Sequence, residues 1–98
     1  MVQVNVTYKF TDNDKRDAFL KAIAENRIQE QTYAEKGCIC YDYYIPVGKD
    51  CEVYLSEQWD NADAIAVHSA LPHFLLLQEI KAGLVESTEI IRLKAEKL

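Results

Sequence analysis

Cys38-Ile39-Cys40-Tyr41-Asp42-Tyr43-Tyr44-Ile45-Pro46-Val47-Gly48-Lys49-Asp50-Cys51-Glu52-Val53-Tyr54-Leu55-Ser56-Glu57-Gln58-Trp59 is the stretch that decides the fold. Its first eight residues are dense in aromatic and β-favouring side chains and stop at Pro46, whose missing N–H suits a strand end. Val47 to Asp50 turns the chain. Cys51 to Trp59 then sets Val53, Leu55, Glu57 and Trp59 against Glu52, Tyr54, Ser56 and Gln58, the period of a strand with two different faces. The stretch therefore reads as a β-hairpin.

Upstream, Val2, Val4, Val6 and Tyr8 alternate with Gln3, Asn5 and Thr7, which predicts a first strand. Thr11 to Asp14 offers several N-cap oxygens, so a helix is expected from about Lys15 to Glu35, ended by Gly37 in the left-handed conformation. Its inner stripe reads Phe19, Ala22, Ile23, Asn26, Glu30 and Tyr33, apolar at first and polar halfway along. Downstream of the hairpin, Asp60 or Asn61 caps a short helix, Pro72 starts another, and Gly83 is expected to end it. Glu86 to Leu93 alternates as a fourth strand, and the charged residues from Lys94 to Leu98 are expected to fray. This order predicts an α+β fold of the ferredoxin-like kind, an antiparallel four-stranded sheet with helices on one face. A less regular α+β sandwich is the alternative.

A chain of 98 residues is expected to form a single domain, 1–98, because chains divide only beyond about 250 residues. With 11 Lys and Arg against 16 Asp and Glu, the net charge of -5 argues against nucleic acid as a partner. No apolar run approaches the roughly 20 residues of a membrane span, and Met1 leads directly into a strand, so the expected setting is cytoplasmic, with no membrane partner. Cys38 and Cys40 would point the same way from one strand, too far apart for easy bridging, and Cys51 lies in the next strand; all three read as free thiols. The second strand presents Ile39, Tyr41, Tyr43 and Ile45 on one side and Cys38, Cys40 and Tyr44 on the other. A sheet covered by helices on one face would leave one of these surfaces wet, so a homodimer with facing sheets is expected.

Glu35-Lys36-Gly37-Cys38-Ile39-Cys40-Tyr41, Glu57-Gln58-Trp59 and His68-Ser69-Ala70-Leu71-Pro72-His73-Phe74 together resemble the antibiotic-biosynthesis monooxygenase (ABM) superfamily, whose pattern runs E-x-G-C-x-x-Y, E-x-W, H-x-x-S/T-P-H-F. Each element alone is weak; three in order, across a chain of this length, are fairly specific. Ala70 makes the segment before Pro72 slightly longer than in many relatives. The resemblance implies a dimeric α+β barrel with a pocket between sheet and helices. It also implies one of several activities: oxidation of quinols or anthrones without flavin, haem or metal, degradation of haem, or isomerisation of a phosphorylated signal. Haem degradation would need a histidine where this chain has Leu75-Leu76-Leu77, although Asn5 and Trp59 match the other haem-site positions in type.

Oxygenation without a cofactor needs a base, an anion stabiliser and a dry site around a substrate that itself reduces oxygen. His68 and His73 are the candidate bases; the competing reading for each is a histidine that only bonds a helix end. Their spacing of five across Pro72 is not the i,i+4 spacing of paired metal ligands, so no metal site is read from it. Asn5 is the candidate anion stabiliser, against an exposed strand residue. Trp59 would wall a planar substrate, against core packing, and Glu57 would act as a base, against an ion pair with Arg92 or Arg27. Tyr41, Asn26 and Glu30 complete the candidate lining of the pocket. No cofactor is expected. The function that fits is oxidation of a small electron-rich aromatic by molecular oxygen, and the alternative is an isomerase or a non-catalytic small-molecule binder. The -5 charge points to a neutral aromatic ligand.

Overall fold

The alternation of β1 carries Val4, Val6 and Tyr8 to one side of the sheet and Gln3, Asn5 and Thr7 to the other, and every other element is arranged around that division. In the computed structural model, which describes residues 1–98, the elements are β1 (Val2–Lys9), α1 (Asn13–Glu25), α2 (Ile28–Tyr33), β2 (Cys38–Tyr44), β3 (Glu52–Trp59), α3 (Ala62–His68), α4 (Pro72–Leu84) and β4 (Ser87–Lys94). One antiparallel sheet runs in the order β2-β3-β1-β4. This is the expected ferredoxin-like arrangement, with β1 and β3 central. No helix is long and apolar enough to cross a membrane.

Helices cover one face only. On that inner face Val4, Val6 and Tyr8 pair with Glu57, Leu55 and Val53, and all six are buried. Phe19 of α1 meets Tyr8 and Phe10 with ring centroids 5.1 and 5.3 Å away, and each such buried aromatic contributes about 1.5–3 kcal/mol of transfer free energy. On the outer face Tyr44, Ile91 and Leu93 stay about half exposed, with no helix over them.

The single helix expected from Lys15 to Glu35 is two. Asn26 Nδ2 donates back to the Ala22 carbonyl at 2.8 Å, and Arg27 turns left-handed with φ 53°. The break shifts the helical phase, so that Ile28 and Thr32 follow Phe19 and Ile23 inward while Asn26, Glu30 and Tyr33 face solvent. The polar half of the predicted stripe is therefore outside. A second correction concerns β2. A bulge between Cys38 and Cys40 lets Cys38 oppose Trp59 and leaves Ile39 out of register. Cys38, Tyr41 and Tyr43 thus share the inner face, and Cys40, Asp42 and Tyr44 the outer. Cys51 begins no strand but sits in the turn at φ 59°, its N–H donating to Asn13 Oδ1 at 2.8 Å. All three cysteines are free. The C-terminal residues are tied at their start, where Met1 and Ala95 exchange backbone hydrogen bonds.

Gly83 does not end α4, which continues to Leu84. Two glycines should therefore answer substitution with opposite signs. Gly37 holds φ +90°, and a Cβ there would lie 2.7 Å from Ala64 Cβ; Gly37→Ala is expected to cost at least about 1–2 kcal/mol. Gly83 has an ordinary φ and open space around a Cβ, so Gly83→Ala is expected to stabilise by about 0.5–1 kcal/mol. Urea denaturation of the two variants checks both signs.

Candidate active site

Three chain segments build the site. α2 gives way to a turn in which Cys38 N–H donates to the Glu35 carbonyl at 3.2 Å, and left-handed Gly37 lets that turn press against α3. Asn61 caps α3 by accepting from Ala64 N–H at 3.0 Å, and the helix closes on His68 as its last residue. A short turn follows, with Leu71 N–H donating to the His68 carbonyl at 3.1 Å, and Pro72 opens α4 one residue before His73.

The result is a single carboxylate oxygen shared by two imidazoles. Glu35 Oε2 lies 2.6 Å from His68 Nδ1 and 2.7 Å from His73 Nε2, and the three side chains are at most 10% exposed. An ionised carboxylate only accepts, so each ring nitrogen donates to it. His68 Nε2 is then the nitrogen left for a ligand. Around the His68 ring stand Trp59 at 4.8 Å, Phe74 at 5.1 Å and Tyr41 at 5.9 Å between centroids. Burial lowers the proton affinity of His68, partly countered by the bond to Glu35 and its negative charge, with His73 lowering it further. The ring is thereby kept neutral near pH 7, in the form that acts as a base.

His68 lines a cavity of about 250 Å³ between the inner sheet face and α4, together with Tyr8, Tyr41, Glu57, Phe74, Leu77, Lys81 and Arg92. A larger hollow of about 360 Å³ lies beyond Glu35, walled by Asp60, Asn61 and Asp63. It is more open and contains neither histidine, so the smaller cavity is the candidate site. Glu57 is buried and accepts from Trp59 Nε1 at 3.0 Å; the ion pair expected with Arg92 or Arg27 is not formed, and Arg27 instead meets Glu30 at 3.4 Å. Burial pushes the Glu57 carboxyl up to about 6, against the lowering effects of the Trp59 hydrogen bond and the Arg92 charge. Tyr41 and Tyr8 are pushed well up by burial and remain neutral phenols.

Sequence-predicted residues divide cleanly. His68, Glu57 and Tyr41 line the cavity, Trp59 packs against His68, and His73 stands behind it. Asn5 is on the outer face, where its Oδ1 accepts from Gln3 Nε2 and Tyr54 OH, both at 2.8 Å. Asn26 and Glu30 are at the surface. Glu35, Tyr8 and Lys81 were not among the predicted site residues, and Arg92 was expected only as an ion-pair partner of Glu57. Glu35 stood in the quoted motif; Tyr8 and Arg92 lie on the strand parity that faces the helices.

The spacing of His68 and His73 predicts no metal site; the turn before Pro72 nevertheless brings both rings to one carboxylate. Glu35, His68 and His73 offer donor atoms within 4.8 Å of one another and are the cluster that could gather on a metal ion. Their separations of 2.6 and 2.7 Å are hydrogen-bond lengths, whereas ligands held about 2.0–2.2 Å from one ion stand farther apart. The arrangement fits two imidazole N–H groups donating to one carboxylate oxygen.

With this geometry in view, comparison with known proteins places the chain. A model of the antibiotic biosynthesis monooxygenase family matches residues 1–80, and the chain belongs to that family. Among solved structures, a Nitrosomonas europaea protein provisionally called an antibiotic biosynthesis monooxygenase is 22% identical over 97% of this chain and 98% of its own, with a TM-score of 0.86. A Deinococcus radiodurans protein given the same provisional description is 24% identical over 100% of this chain and 95% of its own, with a TM-score of 0.84. A Mycobacterium tuberculosis protein is 26% identical over 99% and 96%, again at 0.84. These likenesses establish the fold. No curated protein matches the chain.

The raised Glu57 carboxyl makes a pH prediction. A carboxyl moved from 4.5 to about 6 on folding binds its proton more tightly in the folded state. Its effect on stability is neutral below pH 4.5 and becomes a penalty as pH rises from 4.5 to 6, reaching about 2 kcal/mol. Glu57→Gln, which still accepts from Trp59, should remove that loss. Urea midpoints between pH 4 and 8 should flatten by about this amount relative to the parent chain.

Proposed function

We propose that this chain is a cofactor-independent monooxygenase that oxidises a small, electron-rich hydroxylated aromatic with molecular oxygen. The observation that carries the reading is His68, held by Glu35 through Nδ1 and set on the wall of a cavity lined by aromatic rings. In this reading His68 Nε2 takes the phenolic proton, the O–H bond breaks, and the electron pair stays on the substrate oxygen. The resulting anion is electron-rich enough to reduce oxygen. A simple quinol with no carbon to oxygenate would lose two electrons and its second proton to give quinone and hydrogen peroxide, an oxidase side outcome that reports the same deprotonation. An anthrone-like methylene becomes a carbonyl, one oxygen atom entering carbon and the other leaving as water. Tyr8, Tyr41 and Phe74 supply the aromatic walls, Trp59 backs the His68 ring from the core, and the buried setting excludes water from the anion. His73 and Glu35 are positioning residues that act through His68.

The working form in this reading is a homodimer. Its support is the uncovered outer face, where Tyr44, Ile91 and Leu93 remain exposed beside Tyr54. Sedimentation equilibrium at micromolar concentration should return twice the chain mass, and a monomer there would remove this part. The expected setting is the cytoplasm, where three free thiols stay reduced.

Oxygen-electrode and quinone-absorbance assays with menadiol and related quinols test the chemistry. His68→Ala should lower kcat about 10²–10⁴-fold, and an unchanged rate would end the proposal. Glu35→Gln should leave some activity and move the acidic limb of the pH–rate profile to lower pH, because the carboxylate raises the proton affinity of His68. A ligand-binding chain without turnover would give no enzyme-dependent oxygen uptake across the whole panel.

A further inference from the structure

We propose that the aromatic ligand carries a carboxylate, and that Arg92 and Lys81 are the residues that select it. The inference rests on the reading of the His68 cavity as the substrate site and deepens it.

Both cations line that cavity, and neither makes an ion pair; Lys15, Lys36, Lys49, Lys94 and Lys97 are also unpaired, but none of them lines the cavity. A chain with 16 acidic and 11 basic side chains has ample carboxylate to neutralise two more cations. Leaving these two unpaired on one cavity inverts the charge balance of the molecule there. With Glu57 fully ionised and His68 neutral, the lining still carries two positive charges against one negative, a net charge of +1. The cations are placed by the sheet and by α4. Arg92 of β4 and Glu57 of β3 both pair with Val4, so they flank the same point of β1. Lys81 of α4 reaches over the Tyr8 ring, its Nζ 5.2 Å from the centroid, and its half-buried position lowers its proton affinity. A cation that is partly desolvated and unpaired gains most from an anion brought by the ligand.

A compact planar carboxylate suits this wall better than a phosphate. It matches the guanidinium fork, and its single charge balances the net +1, whereas a phosphate dianion would over-compensate it beside Glu57. The aromatic ring would lie against the rings around His68 with its hydroxyl towards Nε2. The -5 charge of the whole chain, which favoured a neutral ligand, is thus a poor guide to the cavity.

The test compares 1-hydroxy-2-naphthoate with 1-naphthol, with 1-naphthyl phosphate as a third arm, by isothermal titration calorimetry on the intact chain in the absence of oxygen, so that binding is read without turnover. The naphthoate should bind at least ten-fold more tightly than the naphthol at low salt. That preference should fall several-fold in 0.5 M NaCl, disappear in the Arg92→Gln/Lys81→Gln double variant, and persist in Arg92→Lys. Equal affinities, a preference unchanged by the double variant, or tighter binding of the phosphate would overturn the proposal. Binding of these ligands requires no oxidation. A carboxylate preference without activity on any quinol would defeat the monooxygenase reading alone, and quinol oxidation without a carboxylate preference would defeat this one alone.

Discussion

Glu35 Oε2 is the atom on which the site depends. It accepts from His68 and His73, residues 33 and 38 positions further along the chain, and so joins the α2–β2 turn to the end of one helix and the start of another. Charge-assisted hydrogen bonds of this kind are worth about 1.5–3 kcal/mol each, and a buried carboxylate without them would be severely destabilising. Several local features follow from the need to bring these three groups together. Gly37 must be left-handed and lack a side chain because the turn carrying Glu35 touches Ala64 of α3. α3 must stop at His68, and α4 must restart at Pro72 within a few residues, so that one ring points back and the other forward onto the same oxygen. The second oxygen, Oε1, is buried and has no partner.

How much of this was legible in the sequence depends on the kind of signal. Strands with period-two alternation could be read almost to the residue: Val2 to Tyr8 and Cys51 to Trp59 each differ from the observed β1 and β3 by one residue. Strand order followed from the element order. Helix α1 was harder because a single left-handed residue, Arg27, resets the phase. A trace of it is present in the buried series Phe19, Ile23, Ile28, Thr32, whose step of five between Ile23 and Ile28 does not fit an uninterrupted helix. The β2 bulge left no comparable mark, since Cys38, Ile39 and Cys40 are all acceptable on either face of a strand. In the site, residues on inward strand parity (Glu57, Trp59) and in the quoted motifs (Tyr41, His68) could be located. Asn5 could not, because alternation says that it opposes Val4 and Val6 but does not say which face meets the helices. Glu35 was visible as a letter in a motif but not as the partner of two histidines, which is a property of the turn geometry alone.

The site also sets the energetic character of the fold. Of the 15 buried residues, three are polar or charged, Thr32, Glu57 and His68. Thr32 is satisfied by its own helix, donating to the Ile28 carbonyl at 2.8 Å, whereas burial disfavours the ionised form of Glu57 and the protonated form of His68. In a chain of 98 residues, where a single core supplies only a small margin of stability, two such groups beside a cavity are a considerable burden. Apolar side chains on the outer face of the sheet are the reserve that offsets it. Burial of Ile91, Leu93 and Tyr44 against a second copy would add stability on the face opposite the chemistry, and would do so without filling the cavity. The division made by β1, apolar inward and polar outward at its centre with apolar groups on the strands at either edge, therefore has a physical logic. The inner face is free to hold polar groups around a cavity that stability does not need, because the outer face remains available to pair.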